Sequence, residues 1–393
     1  MVAEDLIERY DPGNAAVIAD PYPYYSALLS LGGPVKSQNL DATLISSFSD
    51  AQEALRSEKL AVHSHQTRDK GRAGSILLFM DPPEHTRLRT QLARVFNPKR
   101  IASLRSVIEQ TVDEVLDQAL DLRRMDVIGQ IAYPLPVAVI SELLGIPPED
   151  RAHFGAEIRN LTVIFDWQPN QSALQRSAEA ILTLMPYFRR LVKQRLDDPG
   201  DDLISELIAI QASEGGINKR EIMATCILLY AAGFLTTASL IGNGVLCLIR
   251  NPSECSKLRN DSSLVGSAIE EMLRYESPAQ VAPRIARGPM QWGDVKVVEG
   301  DNVLVLIGAA NRDSKRFTDP NMFSVSRAEN TRHLTFGHGI HFCLGAPLAR
   351  LEGQVFLDRL LARTKEIDLL SEEIEWRPSK TQRVLDRLDV AVA

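Results

Sequence analysis

The stretch L-T-F-G-H-G-I-H-F-C-L-G-A-P-L-A-R-L-E, Leu334 to Glu352, decides how this 393-residue chain is read. One cysteine, Cys343, sits in a frame of glycines: Gly337, Gly339 and Gly345. Glycine lets the backbone turn tightly and leaves amide N–H groups free to point inward. A thiolate held among several N–H donors is stabilised as an anion and becomes a metal ligand. After Gly345 the sequence predicts a helix with Pro347 in its first turn. The sulfur therefore faces a helix N-terminus, whose partial positive charge also favours an anion. A lone cysteine would read as a small buried hydrophobe, but the spacing F-G-x-G-x-H-x-C-x-G is far rarer by chance than a single residue.

Outward from this stretch, composition narrows the choice. The chain is 45% hydrophobic and 24% charged, ordinary for a globular protein. A net charge of −7 argues against a dominant nucleic-acid role, which needs a basic face. The other cysteines, Cys226, Cys247 and Cys255, are too scattered for a disulfide scaffold and make no CxxC pair. A reducing, cytoplasmic setting is expected. The N-terminus, M-V-A-E-D-L-I-E-R-Y, lacks the apolar core of a signal peptide. No Gly/Ser/Pro-rich linker or repeat interrupts the chain, so residues 1–393 are expected to form one large domain. Ala224 to Ile249 carries no charge and is long enough to span a bilayer. It also holds Thr236, Thr237, Ser239 and Asn243, and no second spanning stretch accompanies it. It is read as the buried axis of a large protein, with no membrane expected.

The pattern predicts many helices and few strands. Helices are expected from Tyr22 to Leu31, Asp50 to Arg56 behind a Ser49 cap, and Asp81 to Phe96. Others are expected from Ile101 to Leu122, Met125 to Gly145, Asp150 to Phe165, Ala173 to Leu196 and Asp201 to Ser213. Asn218 is expected to cap the long apolar helix. Val35 to Phe48 reads as a short strand pair, and further strands fall between Arg284 and Ile307 and near the C-terminus. Leu60 to Gly74 reads as a polar loop able to cover a pocket. Trp167 is either a substrate contact or a loop aromatic packed on its neighbours.

Four motifs in order carry a resemblance. The cysteine frame resembles the haem-binding signature of the cytochrome P450 family, with Phe336, Gly337, Gly339, His341, Cys343 and Gly345 matching. A-A-G-F-L-T-T, Ala231 to Thr237, is similar to the family's A-G-x-(D/E)-T, with Ala232, Gly233 and Thr236 matching. Glu271 and Arg274 match E-x-x-R, and Asn311 to Arg327 matches the meander that follows it. The resemblance implies a mainly α fold with small β-sheets, haem b held by Cys343 in the loop 334–346, and Thr236 managing the distal oxygen. It implies that His85, Arg89, Arg284 and His341 hold the haem propionates. Glu271, Arg274 and Arg327 would be structural charges. Val281, Ala282 and Leu235 would face substrate, and Ser379 to Leu385 would form a turn entering the same pocket. Gly233 removes a side chain where a flat cofactor would approach.

The resemblance further implies an O2-dependent monooxygenase acting on a small apolar, natural-product-like substrate, free or tethered to a carrier protein. Electrons would come from a ferredoxin and its reductase, since no flavin or iron–sulfur segment is visible. One departure bears on mechanism: the family usually has an acid before the threonine, and this chain has Leu235. Leucine relays no proton, which leaves oxidative coupling, cyclisation or peroxide-driven chemistry as a second reading. A haem-binding sensor is the non-enzyme alternative.

Overall fold

The computed structural model describes residues 3–62, 76–151, 154–211 and 216–393. Most of the expected loop Leu60 to Gly74 lies outside them, although Leu60–Ala61 is a short strand. The helices that position the site are α1 (Tyr22–Ser30), α2 (Phe48–Arg56), α3 (Glu84–Val95), α4 (Arg105–Leu122) and α5 (Pro134–Leu144), followed by α6 (Gln171–Asp197), α7 (Lys219–Arg250), α8 (Val265–Tyr275) and α9 (Ala346–Arg363). Ten short strands join them: β1 (Val35–Ser37), β2 (Ala42–Ile45), β3 (Leu60–Ala61), β4 (Arg124–Asp126), β5 (Val281–Ala286), β6 (Met290–Trp292), β7 (Val295–Val297), β8 (Asn302–Leu306), β9 (Ile367–Leu369) and β10 (Asp389–Val392).

Helix α7 is the axis. Asn218 accepts from the Glu221 N–H and Glu221 accepts from the Asn218 N–H, both at 3.0 Å, a reciprocal capping box that fixes where the helix begins. Its most apolar window is 72% buried, which supports the reading of Ala224 to Ile249 as a core helix. Helices α5, α6, α8 and α9 pack on it, and their apolar side chains form the main core. Beside this bundle lies a five-stranded sheet, β1-β2-β8-β5-β3, antiparallel except for the parallel pair β2–β8. Strands β4-β10-β9 and the β6–β7 hairpin make two smaller sheets.

Several boundaries differ from expectation. Ser47, not Ser49, caps α2, accepting from the Asp50 N–H at 3.2 Å. The run from Ile101 breaks at Leu104 into Pro98–Ser103 and α4. The stretch from Met125 is not one helix. Met125 lies in β4, paired with Val390, and a π-helical turn at Ile128–Ala132 precedes α5. Long-range pairing with the C-terminal strand overrides local helix preference there. Within Asp150 to Phe165 the described residues form three short pieces, Pro148–Arg151, Gly155–Leu161 and a 3-10 turn at Thr162–Phe165. Trp167 is buried among Tyr10, Val17 and Tyr25, so it is a packed aromatic.

Candidate active site

Cys343 lies between a 3-10 turn, Gly339–His341, and the first turn of α9. Its N–H donates to the Phe336 carbonyl at 2.8 Å, which closes the loop on itself. Gly337 and Gly339 both have φ of +73°, in the region only glycine enters freely. A Cβ on Gly339 would also stand 3.2 Å from the Leu55 carbonyl oxygen at the end of α2. Gly339→Ala is therefore expected to cost roughly 1–3 kcal/mol, seen as a lower Tm and a lower haem-to-protein ratio in the purified protein.

Cys343 is exposed, unlike Cys226 and Cys247, which are buried. The protein around it still raises its pKa by desolvation, against the pull of the Gly345 and Ala346 N–H groups and of the Arg89 and Arg350 charges. These groups alone leave the sulfur a thiol, and a bound metal cation would favour the thiolate. Among the described residues no cluster of three or more His, Cys, Asp or Glu could hold a bare ion.

Four cationic or potentially cationic groups gather near the loop. Arg89 Nη2 donates to the Phe342 carbonyl at 2.6 Å, which places its charge beside Cys343. His85, one turn earlier on α3, is buried, and its ring centroid is 4.3 Å from that of His341. Burial, then the neighbouring His341 and Arg89, push the His85 pKa down to about 4, and its Nδ1 has no hydrogen-bond partner among the described residues. His341 Nε2 lies 3.8 Å from Asp81 Oδ1. Arg284 on β5 donates to the adjacent Pro283 carbonyl at 2.8 Å. Burial lowers its pKa to about 10, with Asp81 opposing at longer range. Buried cations without counter-ions are costly. A ligand carrying carboxylates would complete Arg89, Arg284 and His85 together, and an iron porphyrin with propionates fits that demand.

On α7 the half-exposed residues include Leu229, Ala232, Gly233 and Thr236, at i, i+3, i+4 and i+7. They form one stripe on an otherwise buried stretch. Thr236 Oγ1 donates to the Ala232 carbonyl at 2.8 Å. Gly233 has a different role from the one expected. A Cβ there would meet Ile140 of α5 at 3.2 Å, so the glycine admits a packing side chain. Leu235 is 3% exposed and belongs to the main core, so it does not face a substrate pocket.

Val281 and Ala282 do not face one pocket either. Successive strand residues point to opposite faces. Val281 packs with Tyr10, Tyr25 and Trp167, whereas Ala282 packs against the cluster of Ile45, Phe48 and Phe317. Val281 lines a small cavity of about 30 Å³ together with Ser379, Gln382, Arg383 and Val384 of the C-terminal turn.

Behind the loop lies a buried charge triad. Arg274 Nε and Nη2 donate to the two Glu271 carboxylate oxygens at 2.8 Å, and Arg327 Nε donates to the same oxygens at 3.1 and 3.2 Å. Arg274 also holds the Asn311 and Pro320 carbonyls at 2.9 Å, and Arg327 holds Met322 at 2.7 Å. This ties the meander to α8. Two further features escape sequence reading. Arg350 makes a bidentate pair with Glu270, at 2.6 and 2.9 Å, while its guanidinium sits 4.5 Å over the Phe336 ring. Glu352 is buried with one oxygen unpartnered. Both follow the cysteine in A-R-L-E, and charge inside a helix bound for the core was the available signal.

Residues 156–366 match the sequence model of the family described as cytochrome P450. The chain is 38% identical over 369 residues to cytochrome P450 107B1 of Saccharopolyspora erythraea, covering 89% of each. It is 39% identical over 315 residues to the biotin biosynthesis cytochrome P450 of Bacillus subtilis, covering 80% of this chain and 79% of that one. The crystal structure of P450BioI in complex with hexadec-9Z-enoic acid ligated acyl carrier protein superposes with a TM-score of 0.91 at 34% identity, covering 96% of this chain and all of that one. A mainly helical fold with small sheets, a glycine-framed cysteine backed by a buried charge triad, and these likenesses have one conclusion: the chain belongs to the cytochrome P450 family, whose members are haem-thiolate monooxygenases that bind haem b.

Proposed function

We propose that this enzyme uses O2 to hydroxylate or epoxidise a small apolar, natural-product-like substrate, with the whole of residues 1–393 as its catalytic domain. The observation that carries the reading is the accessible Cys343 thiol beside Arg89 and the close His85–His341 ring pair. Bound haem supplies the redox chemistry, and a cysteine ligand pushes electron density onto its iron and favours O–O cleavage. Cys343 would hold the haem iron in this reading. Phe336, Gly337 and Gly345 shape its loop, and His85, Arg89, Arg284 and His341 hold the propionates. Ala232 would leave a low surface beside a bound haem, and the Thr236 hydroxyl offers a hydrogen bond next to it.

Electrons come from a ferredoxin and its reductase in this proposal. The described residues hold no cysteine cluster of the kind an iron–sulfur centre needs. The free cysteines support a reducing, cytoplasmic setting. The likeness to P450BioI, seen with an acyl carrier protein, supports a carrier-borne substrate as the tethered variant. Leu235 in place of an acid favours a second reading, oxidative coupling, cyclisation or peroxide-driven oxidation without net hydroxylation. A screen of apolar acids, macrolactones and acyl carriers for a low-spin to high-spin change in the Soret band identifies the substrate class. Turnover of a hit with ferredoxin, reductase and NADPH then tests the proposal. Oxygen incorporated from O2 supports it, and coupled product without added oxygen supports the second reading.

A further inference from the structure

We propose that the cavity between the N-terminal segment and the C-terminal turn binds an apolar carboxylate, at a site apart from the cysteine loop. The inference goes beyond the monooxygenase reading and does not depend on it. The cavity has a volume of about 30 Å³. Residues between Pro12 and Tyr25 border it on one side and residues between Trp376 and Val384 on the other, with Gln280 and Val281 between them. No residue of α3, α7, α9 or the 334–346 loop lines it. A water-sized group needs about 10–15 Å³, so the space takes about two of them. That matches the two oxygens of a carboxylate and is tight for the four of a phosphate.

The lining is cationic and holds no acid. Arg377, Lys380 and Arg383 contribute to it, and no aspartate or glutamate does. Arg383 is already engaged, by Glu276 and by the Ile18 and Ala19 carbonyls at 2.6 and 3.2 Å. The other two have no counter-ion among the described residues. Arg377 meets neutral groups, the Arg159 carbonyl at 3.3 Å and the Tyr133 hydroxyl. Lys380 Nζ stands 5.4 Å over the Trp167 ring. Asp166 spends its Oδ1 on the turn, accepting from the Lys380 N–H at 2.8 Å and from the Ser379 and Thr381 hydroxyls at 3.3 and 3.2 Å.

A lysine at a surface is ordinarily left free in water, but this one is half-buried and pinned. Its stem packs so closely on the N-terminal segment that a Cβ on Gly13 would stand 3.1 Å from Lys380 Cε. The Arg377 backbone is fixed as well, its N–H donating to the Val384 carbonyl at 2.8 Å. Two cations held in place around a space without an anion favour a charged acceptor there. Val17, Ile18, Pro21 and Trp376 supply an apolar wall beside them, which suits an acid with a hydrocarbon body.

Haem-loaded protein should be dialysed to equilibrium against radiolabelled butyrate, with butyramide as the neutral isostere and inorganic phosphate as a second anion. Butyrate is expected to bind saturably, more weakly as salt rises, and roughly tenfold or more tighter than either control, the scale of one charge-assisted hydrogen bond. Lys380→Gln and Arg377→Gln should each weaken it by roughly the same factor, and Lys380→Arg should keep it. Saturating butyrate should raise the Tm of wild type and not that of the double Gln variant. The Tm of each variant without butyrate separates lost binding from a lost fold. The carboxylate has two sources, a separate small acid or the end of the enzyme's own substrate, and the Soret band distinguishes them. Butyrate bound with that band unmoved marks a separate acid. Dodecanoate that shifts the band, loses the shift in Lys380→Gln and is displaced by butyrate marks the substrate's own end. No saturable butyrate binding, binding that both Gln variants leave unchanged, or phosphate or butyramide bound as tightly as butyrate overturns the proposal. A wild type lacking the thiolate carbon-monoxide spectrum overturns the monooxygenase reading instead and leaves the dialysis result standing.

Discussion

Glu271→Ala is expected to destabilise the protein by about 3–5 kcal/mol, the usual cost of removing one partner from a buried ion pair. The reason is what remains. Arg274 and Arg327 are both buried, and both point at the missing carboxylate. The Ser324 N–H, which donates to Glu271 Oε1 at 2.9 Å, is orphaned with them. Folding stability of a domain is typically only about 5–15 kcal/mol, so this loss is a large share of the total. The consequence reaches the cysteine. Arg274 holds Asn311, whose side chain accepts from the Leu334 N–H at 2.8 Å at the head of the 334–346 loop. The variant should therefore show a lower Tm and a low haem-to-protein ratio together. Glu271→Gln keeps the shape and loses the charge, and is expected to fall between. A Glu271→Ala protein with wild-type Tm and full haem content would mean that the meander is held by something else.

The triad was legible only through the resemblance, since Glu271 and Arg274, one helical turn apart, read alone as a solvated pair and Arg327 lies 56 residues from Glu271. The glycine frame was legible locally, because positive φ and a turn leave a local mark. What sequence missed depends on contacts between distant segments. Gly233 reads as room for a cofactor until Ile140, far away in the chain, is seen filling the space. Val281 and Ala282 look like one pocket wall, yet strand alternation alone sends them to different cores. That error was avoidable, because period two is a local property. Ser49 and Ser47 are both reasonable caps, and only the hydrogen bond to Asp50 decides between them. Glu270 and Arg350, 80 residues apart, gave no local signal of pairing. In the structure the pair, together with His333, pulls the Glu270 pKa down to about 2 against the desolvation that would raise it.

Cys343→Ser is expected to leave the fold intact and end haem-thiolate chemistry. The side chain is exposed, and its loop is held by the Phe336 carbonyl and by two glycines, none of which the substitution touches. The change in Tm of the haem-free protein should stay within roughly 1 kcal/mol equivalent, as for other exposed sites. The metal site is another matter. Serine is a far weaker donor to iron and stays protonated at neutral pH, so the axial bond and its electron push are lost together. Groups that only hydrogen-bond a metal ligand cost roughly 10–100-fold when changed, and loss of the ligand itself should exceed that in haem affinity and in turnover. The measurement is the absorbance of the reduced, carbon-monoxide-treated protein beside haem content and Tm. Wild type should give the red-shifted thiolate band, and Cys343→Ser should not, at an unchanged apo Tm. The pairing of results matters because Gly339→Ala and Glu271→Ala also lower haem content, but by loosening the loop, and whatever haem they retain should keep the thiolate band. Retention of that band in Cys343→Ser would place the ligand elsewhere. Cys226 and Cys247 are poor substitutes, since burial drives their thiols far up in pKa and keeps both protonated.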